Sequence, residues 1–113
     1  MNIQFEKWHG CSNDFIIINS TYNESKFLKN CLQEQAKNIC SRNGNSIGAD
    51  GIVVLLNENK SDLIPKEIVI INQDGSLAKN CGNALRCVAS FIYKKLGDHP
   101  KKIDIPDCLE LKI

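Results

Sequence analysis

Residues 81–96, CGNALRCVASFIYKKL, decide how the rest of the chain is read. Ala84, Leu85, Cys87, Val88, Ala89, Phe91, Ile92, Tyr93 and Leu96 leave almost no polar side. The run is too long for one strand and lacks strand alternation, so it predicts a helix starting near Cys81. A helix that is apolar nearly all round must be enclosed by other elements. Gly97 is its expected stop, with Pro100 beyond.

Working outward, the flanking segments supply what could enclose it. Residues 2–8 alternate, with Ile3 and Phe5 against Gln4 and Glu6, and read as a strand with one buried face. The turn-rich HGCSND at 9–14 leads into FIIIN at 15–19, a buried strand. Residues 22–42 predict an amphipathic helix capped by Asn23 or Ser25. Its inner stripe is Phe27, Leu28, Cys31, Leu32, Ala36, Ile39 and Cys40. NGNSIGADG at 43–51 reads as a loop, then IVVLLNE and EIVIINQ as strands, and DGS at 74–76 as a turn. Short strands are expected around KIDI at 102–105 and LELKI at 109–113. The order β-β-α-β-β-α-β-β with short links predicts an α+β fold: a mostly antiparallel sheet curled around one buried helix.

At 113 residues the chain fits a single domain spanning 1–113. Hydrophobic content of 42% and charged content of 24% are ordinary for a globular protein. A formal charge of +1 with scattered basic residues gives no nucleic-acid footprint, and Lys94, Lys95, Lys101 and Lys102 read as a solvated helix end and loop. No signal peptide is visible, and the longest apolar runs are strand-sized, so the expectation is a cytoplasmic chain without a membrane segment. Six cysteines raise the question of a disulfide scaffold. With no export signal and enough Ile, Leu and Val for a core, free thiols are expected instead. A metal centre is disfavoured, because no C-x-x-C pair occurs and only His9 and His99 are present.

The chemistry-bearing stretch is the helix start itself. The unpaired N–H groups of a first helical turn, with the positive end of the macrodipole, favour the thiolate form of Cys81. The same N–H groups, approached across Gly82, suit a carboxylate or phosphate, and Asn83 adds an amide with both donor and acceptor. Asn13 and Asn72 end strands and could each bond an amino or carboxylate group; a turn asparagine bonding its own backbone is the alternative for either. His9 reads as structural, and Asp14, Asp50 and Asp74 as turn and capping residues.

Taken together and in this order, KWHGCSNDFIII at 7–18, SIGADGIVVL at 46–55 and INQDGSLAKNCGNALRC at 71–87 resemble the N-terminal half of the diaminopimelate epimerases. The resemblance runs over almost all of the chain. It implies one half of a pseudo-symmetric two-domain fold, with the second domain, and the partner cysteine in its own C-G-x-G segment, absent from these 113 residues. It also implies epimerisation of LL- to meso-diaminopimelate, serving lysine and peptidoglycan synthesis, by two cysteines and without pyridoxal phosphate or any other cofactor. Cys81 matches a catalytic cysteine, and Asn13, Asn72, Gly82 and Asn83 match substrate-contacting positions.

This chain has Ala84-Leu85 where the family has Gly-Ala, and Cys11-Ser12 where it usually has Leu-Gly, changes that bear on substrate preference. The expected partners are a small amino-acid substrate, the second domain, and a second copy in a homodimer that covers the exposed apolar surface. Two other readings stand beside this one: another isomerase of the same fold, proline-racemase-like or phenazine-biosynthesis-like, and a non-catalytic binding or assembly domain. A cysteine at 81 favours a racemase over the phenazine-type proteins, whose chemistry uses a carboxylate.

Overall fold

Two apolar runs too rich to have a wet face, 15–18 and 52–56, form the centre of the sheet. The computed structural model describes residues 2–10, 12–44, 46–59, 61–62, 64–79, 81–95 and 109–112. Within them lie β1 (Asn2–Gly10), β2 (Asn13–Thr21), α1 (Tyr22–Cys40), β3 (Gly51–Asn57), β4 (Glu67–Asn72), β5 (Leu77–Ala78), α2 (Gly82–Lys95) and β6 (Leu109–Lys112). The expected strand at 102–105, the stop at Gly97 with Pro100, and Cys11 lie outside the described residues.

The described strands form one sheet in the order β5-β4-β3-β2-β1-β6. Only β2 and β3 run parallel, joined by α1 as a crossover, and the other neighbouring pairs are antiparallel. The fold is therefore α+β with a mostly antiparallel sheet. Each face carries a helix, which explains the unbroken apolar runs. On one face Ile16, Ile18, Ile52, Val54 and Ile71 pack with Leu28, Leu32, Ala36 and Ile39 of α1. On the other, Phe15, Ile17, Val53, Leu55 and Ile70 pack with Ala84, Cys87, Val88 and Phe91 of α2. Trp8, fully buried, meets Phe91 edge-on with centroids 6.2 Å apart and donates Nε1–H to Glu6 at 3.0 Å.

Several details differ from the sequence reading, among them the two-residue strand β5, which pairs with β4 where only a turn was expected. Helix α1 begins earlier, because Thr21 leaves β2 extended and its hydroxyl accepts the Glu24 N–H at 3.4 Å. Ser25 is inside the helix, donating to the Tyr22 carbonyl at 3.0 Å. Phe27, assigned to the inner stripe, is 68% exposed, since the buried line runs through Leu28 and Leu32. Helix α2 has a second side after all: the sheet covers Ala84, Cys87, Val88 and Phe91, whereas Leu85 and Tyr93 are each 44% exposed.

Candidate active site

The helix start is where the sequence places it. Cys81 stands one residue before α2, and its carbonyl accepts the Leu85 N–H at 3.0 Å, the first bond of the helix. Its side chain is half-buried against the α2 face of the core. Gly82 is exposed, and among the described residues a methyl group built on it would meet nothing within 4 Å, so on that side the first-turn backbone is open to an incoming group. Lys94 and Lys95 lie at the far end of α2, where cations complement the dipole.

Asn83, in the first turn, reaches β2: its Nδ2 donates to Oδ1 of Asn13. Asn13 in turn donates Nδ2–H to Oδ2 of Asp50 at 3.1 Å. The structure thus joins Asn13, Gly82 and Asn83 beside Cys81 into one patch.

Asn72 is placed differently. It ends β4 opposite Gly51, which is also paired with Phe15, so it shares the sheet end on which Asn13 lies. Its side chain, however, donates to Ser76 Oγ at 3.0 Å within its own turn. Ser76 is held by Asp74 Oδ1, through its N–H at 2.9 Å and its hydroxyl at 2.6 Å. These bonds lower the Asp74 pKa below its ordinary value.

Behind the asparagines lies a charge cluster that the sequence reading missed. Asp14 is buried on β2 rather than in a turn, and it accepts from Arg42 at 2.6 and 3.1 Å and pairs with Lys7 at 3.0 Å. Arg42 also reaches Asp50 Oδ1 at 3.2 Å. Burial alone raises the Asp14 carboxyl, but the hydrogen bonds and charges of Arg42 and Lys7 outweigh it and hold the group well below the usual carboxylate range. The available signal was an acid abutting an apolar strand: a carboxylate buried there requires cationic partners. Nothing in spacing alone selects Arg42. A cleft of about 410 Å³ beside Arg42, lined also by Lys37, Cys40, Gln73 and Asp74, contains none of the five residues singled out from sequence.

Of the substitutions noted above, Ala84 is fully buried on the side of α2 that packs on the sheet, Leu85 faces outward, and Ser12 is exposed. His9 is exposed at the end of β1. Among the described residues, no helix is long and apolar enough to cross a membrane.

Comparison with known proteins bears directly on this patch. The family model described as Diaminopimelate epimerase matches residues 5–107. A diaminopimelate epimerase of Carboxydothermus hydrogenoformans is 42% identical over 103 residues, covering 91% of this chain and 36% of that protein. One from Nostoc punctiforme is 43% identical over 103 residues, covering 90% and 34%. One from Methanococcus aeolicus is 39% identical over 98 residues, covering 85% and 32%. The chain therefore spans about a third of the length of these curated relatives.

Proposed function

The chain belongs to the diaminopimelate epimerase family, and we propose that it carries one of the two proton-transferring thiols of a cofactor-independent amino-acid epimerase. The observation that carries this reading is the position of Cys81 immediately before α2, with the open backbone of Gly82 and the Asn83 amide beside it.

In the proposed step the Cys81 thiolate takes the α-proton of LL-diaminopimelate. The C–H electron pair remains on the substrate, delocalised into its carboxylate. A thiol on the opposite face then delivers a proton to the same carbon, giving the meso isomer. The first-turn N–H groups of α2 hold the carboxylate as its negative charge grows, which is where stabilisation acts on rate.

The second thiol belongs, in this reading, to a partner domain outside these 113 residues. By themselves the copies pair as homodimers, covering the outward side of α2 at Leu85 and Tyr93. The setting is the cytoplasm, where thiols stay reduced.

Incubation with LL-diaminopimelate in deuterated water tests the reading. Solvent deuterium entering at the α-carbon, lost in Cys81→Ala, is the expected result. No exchange at high protein concentration, alone or with the complementary domain, would leave a non-catalytic binding or assembly domain. Sedimentation analysis reads the homodimer separately.

A further inference from the structure

The Asn83–Asn13–Asp50 line has a direction, and the direction has a chemical consequence. An amide has one accepting and one donating end, whereas a carboxylate only accepts. Asp50 Oδ2 already takes the Asp14 backbone N–H at 2.9 Å and faces Asn13 at 3.1 Å. Asn13 must therefore turn its NH2 toward Asp50 and its oxygen toward α2. Asn83 must then turn its NH2 toward Asn13. That leaves the Asn83 oxygen as the end available to a ligand, and no described residue donates to it.

Asp50 itself is held from three directions. Arg42 Nη2 meets its Oδ1 at 3.2 Å, and its own N–H donates to Asp14, to the backbone oxygen at 2.8 Å and to Oδ1 at 3.1 Å.

We propose that Asp50 is a positioning residue: through Asn13 it fixes the Asn83 amide so that a hydrogen-bond acceptor, not a donor, faces the ligand beside Cys81. The site then discriminates by polarity. The N–H groups at the start of α2 take the anionic end of the ligand, and Asn83 Oδ1 takes a cationic donor, the ammonium group of an amino acid. The identity of the ligand rests on the function proposed above; the orientation of the amides does not.

Two measurements on the isotopically labelled chain separate the two. Couplings transmitted across hydrogen bonds identify donor and acceptor directly. They are expected from Asn83 Nδ2 to Asn13 Cγ, and from Asn13 Nδ2 to Asp50 Cγ. The reverse pattern, Asn13 Nδ2 to Asn83 Cγ, overturns the proposal.

The second measurement is the ratio of affinities for meso-diaminopimelate and for pimelate, which lacks both amino groups. Asp50→Ala removes the orienting acceptor and should lower that ratio by about five- to tenfold. Asp50→Asn keeps a carbonyl oxygen toward Asn13 while losing the same ion pair to Arg42, and should restore most of the ratio. A merely structural role would weaken both ligands alike in both variants, because the folded fraction cancels in the ratio. An unchanged ratio in Asp50→Ala, or equal losses in the two variants, overturns the assignment. If the wild-type chain binds neither compound, the proposed function fails, and the couplings alone decide the role of Asp50.

Discussion

Asp14 and Asp50 bind each other's backbone reciprocally: the Asp14 N–H donates to Asp50 Oδ2 at 2.9 Å, and the Asp50 N–H donates to Asp14 Oδ1 at 3.1 Å. Two carboxylates this close repel unless cations lie between them, and Arg42 spans both. The start of β2 is thereby tied to the start of β3.

The depressed Asp14 pKa makes this tie pH-dependent. A carboxyl that titrates lower in the folded state than its unfolded value of about 3.9 stabilises the fold above that pH. The contribution declines as pH falls from there through the folded value. Asp14→Asn should cost about 2 kcal/mol at pH 7 and flatten the acid limb of the stability curve. Urea midpoints measured at pH 7 and pH 3 check this; an acid limb as steep as the wild type's would place the titration elsewhere.

Trp8 is the largest fully buried side chain of the core on the α2 face. It is fully buried, edge-on to Phe91, with the Lys94 ammonium 5.7 Å from its ring centroid. Trp8→Ala should cost about 4 kcal/mol, enough to unfold a domain of this size at moderate temperature. Circular dichroism melting of the variant is the check.

Two glycines should respond very differently to a methyl group. Gly75 has φ near +93°, and a Cβ there would sit 2.4 Å from the Gln33 carbonyl oxygen of α1. Gly75→Ala should lose about 3 kcal/mol and loosen the turn that follows Asn72. Gly82→Ala meets none of the described residues and should leave stability within about 0.5 kcal/mol. If the first turn of α2 receives a ligand carboxylate, Gly82→Ala nevertheless weakens amino-acid binding. Unfolding curves and a ligand titration separate the two effects.

Thiol reactivity should follow placement. Cys40 is buried and its pKa is pushed up to about 11, mainly by burial, with Asp14 adding to it. Cys87 is also buried, whereas Cys81 and Cys31 are half-exposed. A limiting alkylating agent at neutral pH should label Cys81 first among these, and Cys40 and Cys87 last. Peptide mapping reads the order, and early modification of Cys87 would contradict the packing of α2.

Apart from the two-residue β5, which has no periodicity to read, the described strands and helices were legible because their patterns are strong. FIII and IVVLL announce buried strands, and the start of α2 follows from Cys81-Gly82 ahead of an apolar run. The joining of Asn13 to Asn83 was not legible, since neither residue carries information about a partner 70 positions away. Asp14 was read as a turn residue because its neighbours form turns, although strand β2 already includes it. Burial of that carboxylate depends on Arg42 and Lys7 arriving from other elements, which local pattern does not encode. Leu85 and Tyr93 were expected to be covered because they are apolar; the described sheet reaches only the opposite side of their helix.

The long reach of the asparagine line also orders events during folding. Asn13 meets Asp50 across 37 positions and Asn83 across 70, so the amide pair closes only after β3 has added beside β2 and α2 has docked. Distant contacts carry the loop-closure entropy of everything between them and form late. A chain emerging from the ribosome can build the β1–β2 hairpin and α1 early, yet the Asn83 amide acquires its orientation near the end. Partly folded molecules thus expose thiols before the Asn83–Asn13 pair exists, and formation of that pair reports completion of the sheet rather than the closing of any single loop.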